Sequence, residues 1–302
     1  MRLSVVIAPI VHYLQYWCVV TLRIDPHAHT SHSDGTDSPA GLMRAAASAG
    51  LDIVGITDHD TTAGWAEAEA HVADTGVGLV RGVEISCRAD GVTVHLLAYL
   101  HNPDDEDLAA IFADSRQART SRGRMMCERL ASDFPISWQD IVAHAGRGAT
   151  IGRPHLADAL VRAGVIPNRS AAFERILHPS SPYYVPYDSP HPVAVTELVR
   201  NAGGVPVFAH PRAYGRQRRM VPVPVIADMA RAGLFALEAD HRDHSDAARA
   251  EVREIAADLG LQVTGSSDYH GTGKPNRLGE NLTDPAVLVR MEEEGYMKVV
   301  RP

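Results

Sequence analysis

The 302-residue chain is 45% hydrophobic and carries a formal net charge of −8 at pH 7, enough apolar content for one large domain or a domain with a sizeable insertion. That acidity excludes general attraction to a nucleic-acid backbone, so duplex DNA is not an expected partner and a polyanionic substrate needs local positive charge. Cys18, Cys87 and Cys127 are too few and too scattered for a disulfide framework or a paired-cysteine zinc site, which fits a reducing, cytoplasmic setting.

Residues 1–18, the start of "MRLSVVIAPIVHYLQYWCVV", are apolar, but His12, Gln15 and three aromatics interrupt the run and no small-x-small cleavage site follows. They read as an N-terminal extension rather than a signal peptide or membrane anchor, with the folded domain beginning near Val19. "VVTLRID" then predicts a strand. "SPAGLMRAAASAG" predicts a helix capped by Ser38, opened by Pro39 and stopped at Gly50. "LDIVGIT" reads as a buried strand and "TAGWAEAEAHVADTG" as one helix. "VGLVRGVEIS" and "VTVHLLAYL" read as two strands joined by the turn "RADG".

The texture changes over residues 104–187. A long helix is predicted in "DEDLAAIFADSRQARTSRGRMMCERLASDF", and shorter ones in "SWQDIVAHAG", "GRPHLADALVRAG" and "SAAFERIL". From residue 188 strand and helix alternate again, with strands in "VPVFAH", "LFALEAD" and "LQVTGSS". The pattern predicts an α/β fold with a mostly parallel sheet, open or closed into a barrel, built from residues 19–103 and 188–302. Residues 104–187 form a helical insertion over it.

Hydrophilic residues gather where these strands end. "RIDPHAH" follows the first, "ITDHD" the second, and "GVEIS" and "VTVHLLAY" carry Glu84 and His95; "VFAHPR" ends a later strand with His210, and "GSSDYH" ends the last with Asp268 and His270. Strand C-termini converge on one rim in parallel α/β sheets and barrels. His12, His32, His71, His101, His144, His178 and His191 read as hydrogen-bonded surface residues; independent surface histidines would not select strand ends so consistently. In an extended segment His27 and His29 face the same side. Imidazole and carboxylate ligation without thiolate suits zinc, manganese or iron, and nine candidate ligands imply two or three divalent ions.

Together "DPHAHTSHSDG", "ITDHD", "GVEIS", "FAHP" and "GSSDYHG", in this order between Leu22 and Leu282, resemble the polymerase and histidinol phosphatase (PHP) family of metal-dependent phosphoesterases. The resemblance implies a distorted (β/α)7 barrel with three metals at its C-terminal rim. One ion would be held by His27, His29, Glu84 and Asp268, a second by Glu84, His95 and His210, and a third by Asp34, His59 and His270. Asp34 is preferred to His32 because many family members carry a ligand at that position. Asp25 and Asp58 are expected to orient neighbouring imidazoles. His59, Glu84 and Asp268 are the expected catalytic residues.

Three ions bring about +6 and the carboxylates Asp34, Glu84 and Asp268 about −3, leaving a cationic pocket for phosphate. Water activated between ions would attack phosphorus. "TIGRPHLADALVRAG" resembles a segment of the family members that hydrolyse nucleoside 3′,5′-bisphosphates or trim short RNA from its 5′ end, and the resemblance implies that Arg153 and His155 are substrate-phosphate contacts. Arg212, in the basic loop Arg212, Arg216, Arg218 and Arg219, and Lys274 are further candidate contacts. Tyr183, Tyr184 or Tyr187 could stack on a base, and Glu238, His241 and His244 offer substrate-edge contacts or a fourth metal site. The expected activity is removal of the 3′-phosphate of a nucleoside 3′,5′-bisphosphate, such as adenosine 3′,5′-bisphosphate. The alternatives are a 5′–3′ exoribonuclease on short RNA and, in a different class, a non-catalytic metal-binding module. Histidinol phosphate fits poorly because those relatives lack the large insertion.

Overall fold

The computed structural model describes residues 21–146, 148–216 and 219–302. The expectations for residues 1–18, His12 included, and for Arg218 lie outside the described residues. Seven strands form one sheet in chain order: β1 (Ile24–Asp25), β2 (Ile53–Ile56), β3 (Gly78–Ala89), β4 (Val92–Tyr99), β5 (Val205–Phe208), β6 (Ala236–Asp240) and β7 (Gln262–Gly265). β4 is antiparallel to both neighbours, and every other pairing is parallel. The exception has a local cause. Asp90 and Gly91, the two residues between β3 and β4, both take left-handed backbone, with φ of 50° and 80°, as a tight hairpin turn requires.

The sheet curls into a nearly closed barrel. Its outer strands approach through an Ala28–Tyr269 bridge, with the His29 amide donating to the Tyr269 carbonyl at 2.8 Å. Farther along, the Thr283 amide donates to the Ile24 carbonyl at 2.9 Å. Across the interior the buried Tyr99 hydroxyl donates to the Pro26 carbonyl at 3.1 Å, tying β4 to the loop after β1.

Helices α1 (Pro39–Ser48), α2 (Trp65–Glu69) and α3 (Val72–Thr75) precede the hairpin. The insertion carries α4 (Glu106–Ala131), α5 (Trp138–His144), α6 (Arg153–Arg162) and α7 (Arg169–Arg175). Beyond it come α8 (Pro192–Asn201), α9 (Val223–Arg231), α10 (Asp246–Leu259) and α11 (Pro285–Glu294). Ser38 caps α1 by accepting from the Gly41 amide at 3.0 Å. The single helix expected over α2 and α3 is interrupted. The His71 ring donates to the Glu67 carbonyl at 2.9 Å, and the His71 amide turns to Ala68 instead, the side chain competing for the carbonyl a continuous helix would use.

Two apolar clusters are separate. Ile24, Val54, Ile56, Leu96, Val207 and Leu237 centre the barrel core, joined by Leu108 and Phe112 from the first half of α4. Met126 and Leu130 from its second half pack instead with Ile141, Leu156, Leu160 and Leu177. α4 therefore runs from the barrel into the insertion as a strut. Several bonds pin the insertion to the rim, among them the Thr150 amide donating to the His32 carbonyl at 3.0 Å, Arg169 Nη1 to the Asp34 carbonyl at 2.8 Å and Arg116 Nη1 to the Asp60 carbonyl at 2.6 Å. Among the described residues no helix is long and apolar enough to cross a membrane.

The loop that carries His27 lies hard against β2. A Cβ on Gly55 would stand 1.7 Å from the Pro26 carbonyl oxygen, a clash with backbone that no rotamer relieves. Gly55→Ala is expected to destabilise the fold at the upper end of about 1–3 kcal/mol, read from chemical denaturation. An unchanged midpoint would contradict this close approach.

Candidate metal centre

His27 and His29 follow β1, His59 follows β2, His210 follows β5, and Asp268 and His270 follow β7. Two donors depart from the strand-end expectation. Glu84 lies inside β3, because that strand continues past the rim into the hairpin, and His95 lies inside β4 opposite Ser86. β4 runs backwards relative to its neighbours, so its rim side is its N-terminal half. His59 and Glu84 meet through a β-bridge. His210 and Asp268 both take left-handed backbone, with φ of 36° and 53°, a conformation that costs of order 1–3 kcal/mol each in a non-glycine residue.

Four donors from two loops and one strand converge. His27 Nε2 lies 3.2 Å from His29 Nε2, 3.5 Å from Glu84 Oε2 and 3.5 Å from Asp268 Oδ1. His29 Nε2 lies 2.9 Å from the same Glu84 oxygen and 3.4 Å from the same Asp268 oxygen. These separations match the edges of a coordination shell, since metal–ligand bonds of about 2.1 Å place neighbouring donors about 3.0–3.4 Å apart. Two further sets, His29, Asp34 and His270, and His59, Glu84 and His95, each bring their ligand atoms within 4.8 Å of one another.

The first set coincides with the expected one; the other two divide the donors differently. His59 lies 3.4 Å from Glu84 Oε2 and 3.9 Å from Asp34 Oδ2, so it stands between them. His210 Nε2 is 3.4 Å from Glu84 Oε1 and also faces Arg216 Nη1 at 3.2 Å. Several donors lack any hydrogen bond although buried: His59 Nδ1, Glu84 Oε1, His95 Nδ1 and His270 Nε2. Buried polar atoms are ordinarily paired, and here the unpaired ones face one another. That donor set fits divalent cations.

Electrostatics sort the groups. Burial opposes ionisation of Glu84, yet His95, His59 and His27 around it hold its carboxyl well below the usual range. Asp34, by His270 and His59, and Asp268, by Lys274 and His270, are likewise held low against burial. Burial drives His59 down, aided by Arg119; it takes His210 to about 3, aided by Arg216, and His270 to about 4, aided by Lys274. These three imidazoles are neutral and offer lone pairs. Burial also opposes protonation of His27 and His29, but carboxylates outweigh it: Glu238 and Glu84 raise His27, and Asp268 and Glu84 lift His29 to about 9.

Asp25 and Asp58 do not orient imidazoles directly. Asp58 accepts from the Thr30 amide at 2.7 Å and from Ser33 Oγ at 2.6 Å, reaching His29 only through that hydroxyl. Asp25 accepts from the Ser267 and Gly279 amides at 3.0 and 2.8 Å. Both clamp loop backbone. Outside the candidate donor sets, Glu238 does reach an imidazole, its Oε1 lying 3.1 Å from His27 Nδ1. Of the residues offered for a fourth metal site, Glu238 Oε2 accepts from the His210 amide and His244 bonds the Ala239 carbonyl and the Arg212 amide, while His241 accepts from the Asp243 amide through Nδ1 and turns an unbonded Nε2 to Asp268 Oδ2 at 3.5 Å. His101 is not a surface histidine. It is buried between Trp65 and Phe112, with ring centroids at 5.1 and 5.8 Å.

The expected substrate contacts separate. Lys274 Nζ lies 3.0 Å from Asp268 Oδ2, beside the donors. His155, at the start of α6, accepts from the Gly152 amide through Nδ1 at 3.1 Å, and burial keeps it neutral. Arg153 stacks on Phe173 and Tyr184 at 5.2 and 5.8 Å. Arg212 is held elsewhere: its guanidinium is buried against Glu251 at 2.6 Å and the carbonyls of Pro211 and Val221. Among the described residues of that loop, Arg216 reaches the donors, 2.7 Å from Asp268 Oδ2. Arg119 of α4, unremarked in the sequence, contacts Ser86 and lies 2.9 Å from Asp60, the residue after His59. The Tyr184 and Tyr187 rings both lie against Arg122, at 4.9 and 4.8 Å, and Tyr183 donates to Asp133.

Comparison with known proteins agrees with this geometry. Residues 25–121 match the PHP domain. A candidate metal-dependent phosphoesterase from Bifidobacterium adolescentis superposes with a TM-score of 0.88 at 44% identity, over 90% of this chain and 96% of that one. The 3′,5′-nucleoside bisphosphate phosphatase of Chromobacterium violaceum is 29% identical over 93% of this chain and 99% of its own length. A 5′–3′ exoribonuclease of Haemophilus influenzae is 28% identical, over 87% and 95%.

The raised imidazoles give this site a pH signature. His29 must shed a proton to ligate, so divalent-ion uptake at pH 7.5 is expected to release protons, and affinity to rise with pH until about 9. In the metal-free protein the same group adds stability that is complete below its ordinary value of 6.5 and lost as pH climbs toward about 9. Calorimetric titration in buffers of different protonation enthalpy reads the proton count; zero release would contradict the assignment.

Proposed function

The chain belongs to the PHP family of metal-dependent phosphoesterases, and from that membership we propose that it hydrolyses the 3′-phosphate of nucleoside 3′,5′-bisphosphates, leaving the 5′-monophosphate. It is a metal-dependent hydrolase. The reading of the substrate is carried by one juxtaposition: Arg119 of the insertion reaches Asp60 at the donor-rich rim, and near it Arg122 and Arg153 bond backbone carbonyls and lie against aromatic rings, with no carboxylate paired to either among the described residues. End-to-end similarity to the Chromobacterium phosphatase, insertion included, supports it.

We assign two or three divalent ions, manganese, zinc or iron, to His27, His29, Asp34, His59, Glu84, His95, His210, Asp268 and His270. Bound there, they supply Lewis acidity that polarises the phosphoryl group and acidifies water. The chain's own residues do the rest. Asp268 turns one oxygen to the imidazoles and the other to Lys274 and Arg216. Those two cations, 30% and 29% exposed, can take phosphoryl oxygens as charge builds on them. Glu84 and His59 hold the opposite wall. Arg153 and His155 at the head of α6 are assigned to the second phosphate. Water oxygen bonds to phosphorus, the bond from phosphorus to the 3′ oxygen breaks, and that oxygen leaves as the hydroxyl.

A second reading, 5′–3′ hydrolysis of short RNA, rests on the Haemophilus relative. It needs a groove open at one end. The bonds from Thr150 to His32 and from Arg169 to Asp34 close the insertion onto the rim, which favours the mononucleotide.

Phosphate release from adenosine 3′,5′-bisphosphate by metal-loaded protein is expected to exceed mononucleotide release from 5′-phosphorylated short RNA. His59→Ala and Asp268→Asn should each lower kcat by about two to three orders of magnitude. Faster turnover of the RNA would select the exoribonuclease, and no hydrolysis of either would leave the non-catalytic module.

A further inference from the structure

We propose that Glu238 is a positioning residue that sets the tautomer of His27 and holds the backbone of His210, so that one buried carboxylate ties together loops feeding separate donor sets. The proposal rests on the metal reading above. Glu238 lies on β6, where the register shifts between Glu238 and Asp240; such a bulge re-aims a side chain, and bulges concentrate beside active sites. The carboxylate is 1% exposed, and both of its oxygens are committed. Oε1 accepts from His27 Nδ1 at 3.1 Å and from Ser266 Oγ, and Oε2 accepts from the His210 amide at 2.9 Å.

Each contact has a consequence. A carboxylate can only accept, so Nδ1 of His27 keeps its proton, and Nε2, which faces His29, Glu84 and Asp268, is the nitrogen that would give up its proton to ligate an ion. His210 sits in left-handed backbone, and the bond to its amide helps to hold that strained turn. Ser266 lies two residues before Asp268. Glu238 itself belongs to none of the candidate donor groups, and its distance from them is set through His27 rather than by direct approach. Partners of this kind orient a ligating imidazole, and losing one weakens metal binding about 10- to 100-fold.

The test uses the full chain loaded with zinc, comparing wild type, Glu238→Ala and Glu238→Gln by elemental stoichiometry, zinc affinity and nitrogen NMR of labelled histidines. Glu238→Ala is expected to bind zinc about 10- to 100-fold more weakly and to lose the single Nδ1–H tautomer of His27. Glu238→Gln keeps an amide oxygen for His27, so its tautomer should persist with less than about a tenfold loss. Wild-type affinity and tautomer in Glu238→Ala would overturn the assignment, as would a Gln variant as impaired as Ala with the His27 tautomer unchanged. If Glu238→Ala does not fold, the Gln variant alone decides by its His27 signal. Wild-type protein that takes up no zinc would overturn the metal reading and this assignment together.

Discussion

One buried carboxylate organises the barrel mouth. Glu84 faces five imidazoles: Oε2 lies 3.5, 2.9 and 3.4 Å from His27, His29 and His59, and Oε1 lies 2.7 and 3.4 Å from His95 and His210. Removing such a charge from water costs several kcal/mol unless it is compensated. His27 and His29, raised by the carboxylates around them, offset part of that charge, but the neutral His59 and His210 do not, and Oε1 has no hydrogen bond. The cluster is able to bind divalent cations, which would supply the rest of that compensation.

The architecture around Glu84 follows from bringing distant segments to it. Parallel strands deliver His27, His59, His210 and Asp268 on the loops that leave their C-terminal ends, and the one reversed strand delivers His95 from its middle. Loop backbone is then held by buried carboxylates, Asp25 beneath Ser267 and Gly279, and Asp58 beneath Thr30 and Ser33. Two donors accept strained backbone to point inward. Arg169 and Thr150 draw the insertion down over the same loop that carries Asp34. Candidate donors, loop clamps and insertion contacts share residues 30–35.

Much of this is legible in the chain. Strand ends were marked by the shift from β-branched runs to His and Asp, and the "RADG" turn announced the hairpin. Other features leave no local mark. Nothing in "VTVHLLAY" says that its strand runs backwards with respect to both neighbours, which is why His95 sits mid-strand rather than at an end. "HPRAYGRQRR" offers four arginines with equal claim. Only the fold shows Arg212 consumed by Glu251 and Arg216 turned to Asp268. Glu238 in "LEAD" looks like any strand-end acid until a bulge aims it at His27, and Arg119 reads as a helix-surface charge until α4 is laid across the rim. Signals carried by one segment were readable; those that depend on which segments meet were not.

The most direct test is anomalous diffraction from crystals loaded with manganese or zinc, recorded at the absorption edge of that metal. The account predicts an ion about 2.0–2.2 Å from His27 Nε2, His29 Nε2, Glu84 Oε2 and Asp268 Oδ1, with at least one more ion bound through Glu84 or Asp34. Those four atoms without an ion among them in fully loaded crystals, or ions bound only elsewhere on the surface, would contradict it.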